Sequence, residues 1–221
     1  WMPEGMVLAS VLPREDPRDA FIGHPGSTLD NLPAGSVIGT ASLRRMALVL
    51  YRRPDLQVVP LRGNVQTRLS KVADGVVDAT LLAMAGLNRL GMADAATAPI
   101  ETDQMLPAVA QGAIGLTCRP DDDRVMAWLK ALDHAATNTA VVAERAMLEA
   151  LDGSCRTPIA ALARLDEQGG LALDGLVARP NGTEVVPTSR AGSAEDARSL
   201  GWDAGMELRQ HVGPGFFDES S

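Results

Sequence analysis

Aromatic side chains make up 3% of this 221-residue chain, as three Trp, one Tyr and three Phe. That scarcity leaves too few rings for the stacking platforms on which single-stranded nucleic acid is bound. Positive charge is also short. Twenty Lys and Arg face 28 Asp and Glu, for a formal charge of -8, which speaks against a broad face for phosphate backbones. Cysteine is limited to Cys118 and Cys155, far apart and without metal-ligand spacing, so neither a zinc framework nor a disulfide-stapled domain is indicated. His24, His134 and His211 are scattered and read as solvated or structural, and the sequence offers no metal site. No apolar run reaches spanning length, and the N-terminus lacks a basic segment followed by an apolar one. The expectation is a cytoplasmic protein that binds neither membrane nor nucleic acid.

What is present is a core-forming composition, 46% hydrophobic, enough for one large or two modest domains. An apolar run from Met6 to Leu12 reads as a strand. Residues 15–21 read as a connection, because Pro17 lacks a ladder donor and the charges alternate. From Ser36 to about Gly91 strand and helix alternate. Val37-Ile38 is a strand; Leu43, Met46, Ala47, Leu50 and Tyr51 recur at helical spacing until Pro54; Gln57 to Leu61 is a strand. Asn64 caps a helix carrying Val65, Leu69 and Val72, and Ala79 to Ala83 is a buried strand. This order predicts a mainly parallel sheet covered by helices. Met105 to Cys118, with Gln111-Gly112-Ala113 inside it, suits a crossing between domains. Asp121 to Asp123 fits a helix cap better than a magnesium site. A helix from about Asn138 to Leu151 follows. Strands at Ile159–Leu165, Leu171–Ala178 and Thr183–Ser189, turns at Gly169-Gly170 and Asn181-Gly182, and a helix from Ala194 to Val212 then form a small α+β domain beginning near residue 135. The tail from Gly213 is expected to fray.

Arginine is concentrated against this acidic background. Arg44 and Arg45 fall in the first turn of a helix, where the macrodipole disfavours cations by roughly 0.3–1 kcal/mol. An anion over the Thr40–Ser42 turn would offset that cost, drawing on free amides, two hydroxyls and two guanidinium forks. Arg62 and Arg68 bracket a second strand-to-helix turn of the same design, and such strand ends border the usual ligand crevice of an open α/β sheet. Any one of these arginines is more simply a partner for a surface carboxylate; the four together point to a small, multiply charged anion. Cys155 lies in a glycine-containing loop after a helix, beside Arg156, which favours its thiolate. On spacing alone a lone cysteine is more often a small buried hydrophobe, a description that suits Cys118.

Several motifs in order, Arg14-Glu15-Asp16-Pro17-Arg18-Asp19-Ala20, Gly39-Thr40-Ala41-Ser42-Leu43-Arg44-Arg45, Arg53-Pro54-Asp55-Leu56, Leu61-Arg62-Gly63-Asn64-Val65, the run from Leu106 to Ala113 and Gly153-Ser154-Cys155, closely resemble the porphobilinogen deaminase (hydroxymethylbilane synthase) family over nearly the whole chain. The resemblance implies an α/β fold: a periplasmic-binding-protein-like, mainly parallel sheet domain over 18–106, a partial first domain made of 1–17 and 107–134, and a small C-terminal α+β domain over 135–221. It implies a transferase of tetrapyrrole biosynthesis that condenses four porphobilinogen units into hydroxymethylbilane with release of ammonia. The primer would be a dipyrromethane cofactor held covalently by Cys155, with Thr40, Ser42, Arg44, Arg45, Arg62 and Arg68 binding its carboxylates and those of the growing chain.

The family's catalytic aspartate and its neighbouring lysine would precede Trp1, so no residue of this chain receives that role, and little activity is expected of the chain alone. The complete enzyme is expected to be a monomer. Ala41, Gln66, Ala110 and Arg156 depart from the family's usual residues. A non-catalytic module of periplasmic-binding-protein type for a carboxylated small molecule is the other reading of the same arginines, and a cysteine hydrolase lacks a suitably placed histidine.

Overall fold

Strand and helix alternate between Ser36 and Gly91 as the sequence predicts, although the first helix buries Arg44, Arg45, Ala47, Leu48 and Val49 and not the stripe from Leu43 to Tyr51. In a computed structural model, which describes residues 3–152, 157–213 and 215–217, β3 (Val37–Gly39), α1 (Leu43–Arg52), β4 (Gln57–Val59), α2 (Val65–Ala73), β5 (Ala79–Ala83) and α3 (Met84–Arg89) follow one another. β3 pairs in parallel with both β4 and β5. Ser42 and Asn64 cap α1 and α2 by accepting the backbone N–H three residues on, the geometry that makes Ser and Asn good helix starts.

The sheet is not mainly parallel. It has the order β4-β3-β5-β2-β6, in which β2 (Asp19–Ile22) runs antiparallel to both β5 and β6 (Ala98–Ile100). Two pairings are parallel and two antiparallel. The segment read as a connection therefore enters the sheet two residues after Pro17, and all four β2 residues are buried. Its charges point two ways: Asp19 is fully buried, while Asp16 and Arg18 pair with each other at half-buried positions. Phe21, Ile38, Val49, Leu81 and Met105 pack on one another under this sheet, each at 1% exposure or less.

The C-terminal part is a second layered unit. β8 (Ile159–Leu165), β9 (Gly170–Ala178) and β10 (Val185–Ser193) form an antiparallel sheet in the order β10-β9-β8. Two long helices, α5 (Ala135–Ala150) and α6 (Ala197–Val212), cover it. They meet through small residues. A Cβ at Gly201 would collide with the Ala143 carbonyl oxygen, and one at Gly205 would lie 2.5 Å from that of Met147. Met147, Leu173 and Leu208 are fully buried there, each contributing about 2 kcal/mol of transfer free energy. α5 begins three residues before the expected Asn138, because His134 accepts the Thr137 N–H as N-cap. β10 starts later and runs further than Thr183–Ser189, ending in a 3-10 turn at Ala194–Asp196. The described part of the tail does not fray: Phe216 is 3% exposed, meets Phe217 edge to face, and carries the Arg179 guanidinium 4.7 Å from its ring centre.

β1 (Val7–Val11) and β7 (Gly115–Cys118) pair antiparallel as a two-stranded ribbon, with a slip in register between Leu8 and Ser10. α4 (Asp123–Lys130) packs against it, capped by Asp122, whose carboxylate accepts the Val125 N–H. Cys118 is buried at the end of β7. The Val11 carbonyl accepts the His134 N–H at 2.8 Å, tying the ribbon to the start of α5. Among the described residues no helix is long and apolar enough to cross a membrane.

Candidate functional site

The carboxyl ends of β3, β4 and β5 each lead into a helix start, and the antiparallel β2 begins at the same edge, with Asp19 opposite Ala83 of β5. That topology converges three helix N-termini and one buried carboxylate. The first two turns abut closely: a Cβ on Gly39 would lie 2.7 Å from Leu61 Cδ2, so glycine is what allows β3 to leave the sheet beside β4.

Arg44 and Arg45 turn inward from the first turn of α1, with side chains 5% and 10% exposed. The Arg45 Nε and Nη2 donate to Asp19 Oδ1 at 3.1 and 2.8 Å, and its Nη1 donates to the Leu81 carbonyl at 2.9 Å. Arg44 Nη1 donates to the Leu106 carbonyl at 2.8 Å and makes an ion contact of the same length with Asp19 Oδ2, off the hydrogen-bonding axis. Gln111 completes the cluster. Its Nε2 donates to Asp19 Oδ1 at 3.0 Å and to the Pro17 carbonyl at 2.7 Å, while its Oε1 lies 3.4 Å from Arg44 Nη2.

The charges do not balance: two guanidinium groups share one carboxylate. Burial alone would raise the Asp19 pKa, yet the charges of Arg44 and Arg45 outweigh it and hold the carboxyl below the ordinary aspartate range. Burial pushes the Arg45 pKa down, Asp19 opposes that shift, and the charges of Arg44 and Arg68 add to it. Arg44 Nε is buried with no acceptor among the described residues. A buried unmade hydrogen bond of this kind costs about 1–3 kcal/mol, more for a charged group.

The rest of the predicted set lies around this edge. Thr40 is buried and its Oγ1 accepts the Ser42 N–H at 3.2 Å; the Ser42 hydroxyl, half-buried, caps α1 by accepting from the Arg45 N–H at 3.4 Å. Arg62 is exposed, and its guanidinium has no ion pair among the described residues. Arg68 is half-buried and uses Nε on the Gly63 carbonyl at 2.9 Å. Cys155 lies outside the described residues. The helix that precedes it ends at Ala150, whose carbonyl accepts from Arg209 Nη1 at 3.1 Å.

Sequence reasoning missed Asp19 and Gln111. The signal was available, since two arginines at a helix start need a counter-ion, but Asp19 lies 26 residues before Arg45 and was assigned to a solvated link. A second buried ion pair was also missed. Glu144 of α5, fully buried, receives Arg14 Nη1 at 2.5 Å and Nη2 at 3.2 Å, the Ala110 N–H at 2.6 Å and the Ala163 N–H at 2.9 Å. Arg14 Nε donates to the Gln111 carbonyl at 2.8 Å. One strap, 106–113, thus touches the arginine cluster through Leu106 and Gln111 and the C-terminal unit through Ala110. A cleft of about 850 Å³ lies elsewhere, between α1 and strands β9 and β10. Its Arg52, Arg164 and Arg190 are each paired with Asp or Glu of the chain.

The chain is thus a mixed α/β protein with several sheets and an arginine-rich, charge-unbalanced edge beside helix starts. Residues 1–127 match the family model described as porphobilinogen deaminase, dipyromethane cofactor binding domain, and residues 138–210 match that described as porphobilinogen deaminase, C-terminal domain. The chain belongs to the porphobilinogen deaminase family. It is 54% identical over 220 residues to the chloroplastic porphobilinogen deaminase of Oryza sativa subsp. japonica, covering 99% of this chain and 62% of that protein. With the chloroplastic enzyme of Pisum sativum it shares 55% identity over 221 residues, covering 99% of this chain and 60% of that one. With the porphobilinogen deaminase of Nitrobacter hamburgensis it shares 52% over 217 residues, covering 98% and 68%. The chain spans about three-fifths of the length of the two plant relatives.

Proposed function

We propose that the chain serves the condensation of porphobilinogen into hydroxymethylbilane with loss of ammonia, as a transferase of tetrapyrrole biosynthesis. The observation that carries this reading is the arginine edge: a buried guanidinium pair with more positive charge than Asp19 neutralises and an Arg44 Nε without an acceptor. Porphobilinogen carries an acetate and a propionate, so both the substrate and every added ring bring carboxylates that such donors suit. In this reading the exposed Arg62, half-buried Arg68 and Ser42 meet carboxylates directly. The Arg44–Arg45 pair and the α1 N-terminus supply the field behind them, strengthened by their removal from water.

A dipyrromethane cofactor fits the same donor set, because it too is a short oligopyrrole with carboxylate arms. Its attachment point would be Cys155. When bound, the group supplies the nucleophilic pyrrole carbon to which new units are added. This chain's own residues hold and orient the carboxylates, and Asp19 and Gln111 keep the two guanidinium groups in place. The division into a sheet domain over 18–106, a partial domain from 1–17 and 107–134 and a C-terminal domain over 135–221 is part of the proposal. It is supported by the strap at 106–113, whose hydrogen bonds reach both layered units.

Intact-mass measurement tests the cofactor assignment. The chain produced in cells that make porphobilinogen should carry a covalent adduct that Cys155→Ser abolishes. A chain of unmodified mass under those conditions, or an adduct retained by Cys155→Ser, would refute it.

A further inference from the structure

Asp19 is a carboxylate built into an anion site, where it competes with any anion that arrives. It is fully buried, with Oδ1 accepting from Arg45 Nε and Nη2 and from Gln111 Nε2 and with Oδ2 in ion contact with Arg44, so three side chains hold it away from water. A counter-ion serving neutrality alone would face one arginine. Here two arginines share it, and Arg68 stands close enough for its charge to act on Arg45. The pair with Asp19 carries one net positive charge; without Asp19 it would carry two, in surroundings where an unpaired charge is held strongly.

We propose that Asp19 is a positioning residue that limits the anion affinity of the arginine pair to that of a single buried charge, so that carboxylates are held and released in turn. This rests on the reading of the edge as a carboxylate site and deepens it. A ligand that gains carboxylates with every added ring has to move past fixed guanidinium groups. Two uncompensated charges would tether each carboxylate against that movement, whereas one permits exchange. One unit of charge within several ångströms of a bound carboxylate changes affinity by about ten- to a hundredfold at the effective dielectric of a protein site.

The test is a charge cycle read by titration calorimetry with porphobilinogen, with folding followed by circular dichroism. Arg45→Gln leaves Arg44 and Asp19 balanced and should weaken binding by about tenfold or more. Asp19→Asn together with Arg45→Gln restores one net charge and should return affinity to within about threefold of the unaltered chain. Asp19→Asn alone should bind about tenfold tighter, with slower dissociation in stopped flow. A merely structural Asp19 predicts the opposite for the double variant, which would lose further affinity. A double variant that binds no better than Arg45→Gln, or fails to fold where Arg45→Gln folds, overturns the proposal, and so does a folded Asp19→Asn that binds no tighter. If Asp19→Asn does not fold, the comparison of Arg45→Gln with the double variant decides alone. Running the cycle with citrate separates the two ideas. Binding of citrate without porphobilinogen would sink the substrate reading while the citrate cycle still decides the role of Asp19, and binding of neither would overturn both.

Discussion

Replacing Glu144 by alanine should be among the most damaging single changes outside the arginine edge. Its carboxylate receives both Arg14 Nη atoms and two backbone amides, from Ala110 and Ala163, and no part of the side chain is exposed. Removing one partner of a buried ion pair costs about 3–5 kcal/mol. Each stranded amide adds about 1–3 kcal/mol, less whatever water recovers, and Arg14 at 12% exposure can recruit some. A total of about 5 kcal/mol or more follows. At a urea slope of about 2–3 kcal/mol/M, the midpoint seen by circular dichroism should fall by about 2 M. Glu144→Gln keeps the shape and one acceptor oxygen but turns an NH2 toward donors in place of the other, and should lose less than Glu144→Ala while remaining clearly destabilised. The double change Arg14→Leu with Glu144→Leu removes both charges and should recover most of the ion-pair part of the loss, because desolvation offsets most of what a buried pair contributes, while the Ala110 and Ala163 amides stay stranded at about 1–3 kcal/mol each. A loss below about 1 kcal/mol for Glu144→Ala would refute the view that this carboxylate joins the strap to the C-terminal unit.

Two further predictions follow from backbone and charge. Ala110 has φ 59°, a left-handed conformation, so Ala110→Gly should raise stability by about 0.5–1 kcal/mol and the melting temperature by about 2 °C; a decrease would show that the methyl group packs more than it strains. Since the folded-state pKa of Asp19 is held below its unfolded value, its contribution is fully present above about pH 3.9. It is lost as pH falls through the folded value, the unfolded chain binding the extra proton. Acid titration of stability should therefore be shallower below that pH in a folded Asp19→Asn variant, and identical slopes would contradict the assignment.

Much of this fold was legible because local chemistry agreed with global structure. Asn64 announces a helix start, and the helix over Leu43 to Leu50 and the strand Ala79–Ala83 lie where the spacing puts them, although α1 buries Arg44, Arg45, Ala47, Leu48 and Val49 and leaves Tyr51 exposed. β2 was hidden because Pro17 and the alternating charges around it mark a turn in most contexts, and strand direction depends on pairing, which no local pattern records. β6 is three residues long and includes Pro99, too short for any period to register. The arginines of the site were visible as a local excess of charge. Their internal counter-ion was not, since Asp19 meets Arg45 across 26 residues of sequence, and the departure at Ala110 gained its meaning only with its φ.

The central claim, that the Arg44–Arg45 edge receives the carboxylates of pyrrole ligands, is tested most directly by porphobilinogen titration against variants that leave the core alone. Arg62→Ala and Arg68→Ala, at exposed and half-buried positions without ion pairs among the described residues, should each weaken binding by about tenfold at low salt with the urea midpoint unchanged. Porphobilinogen affinity that is the same in the unaltered chain and in both variants would contradict it.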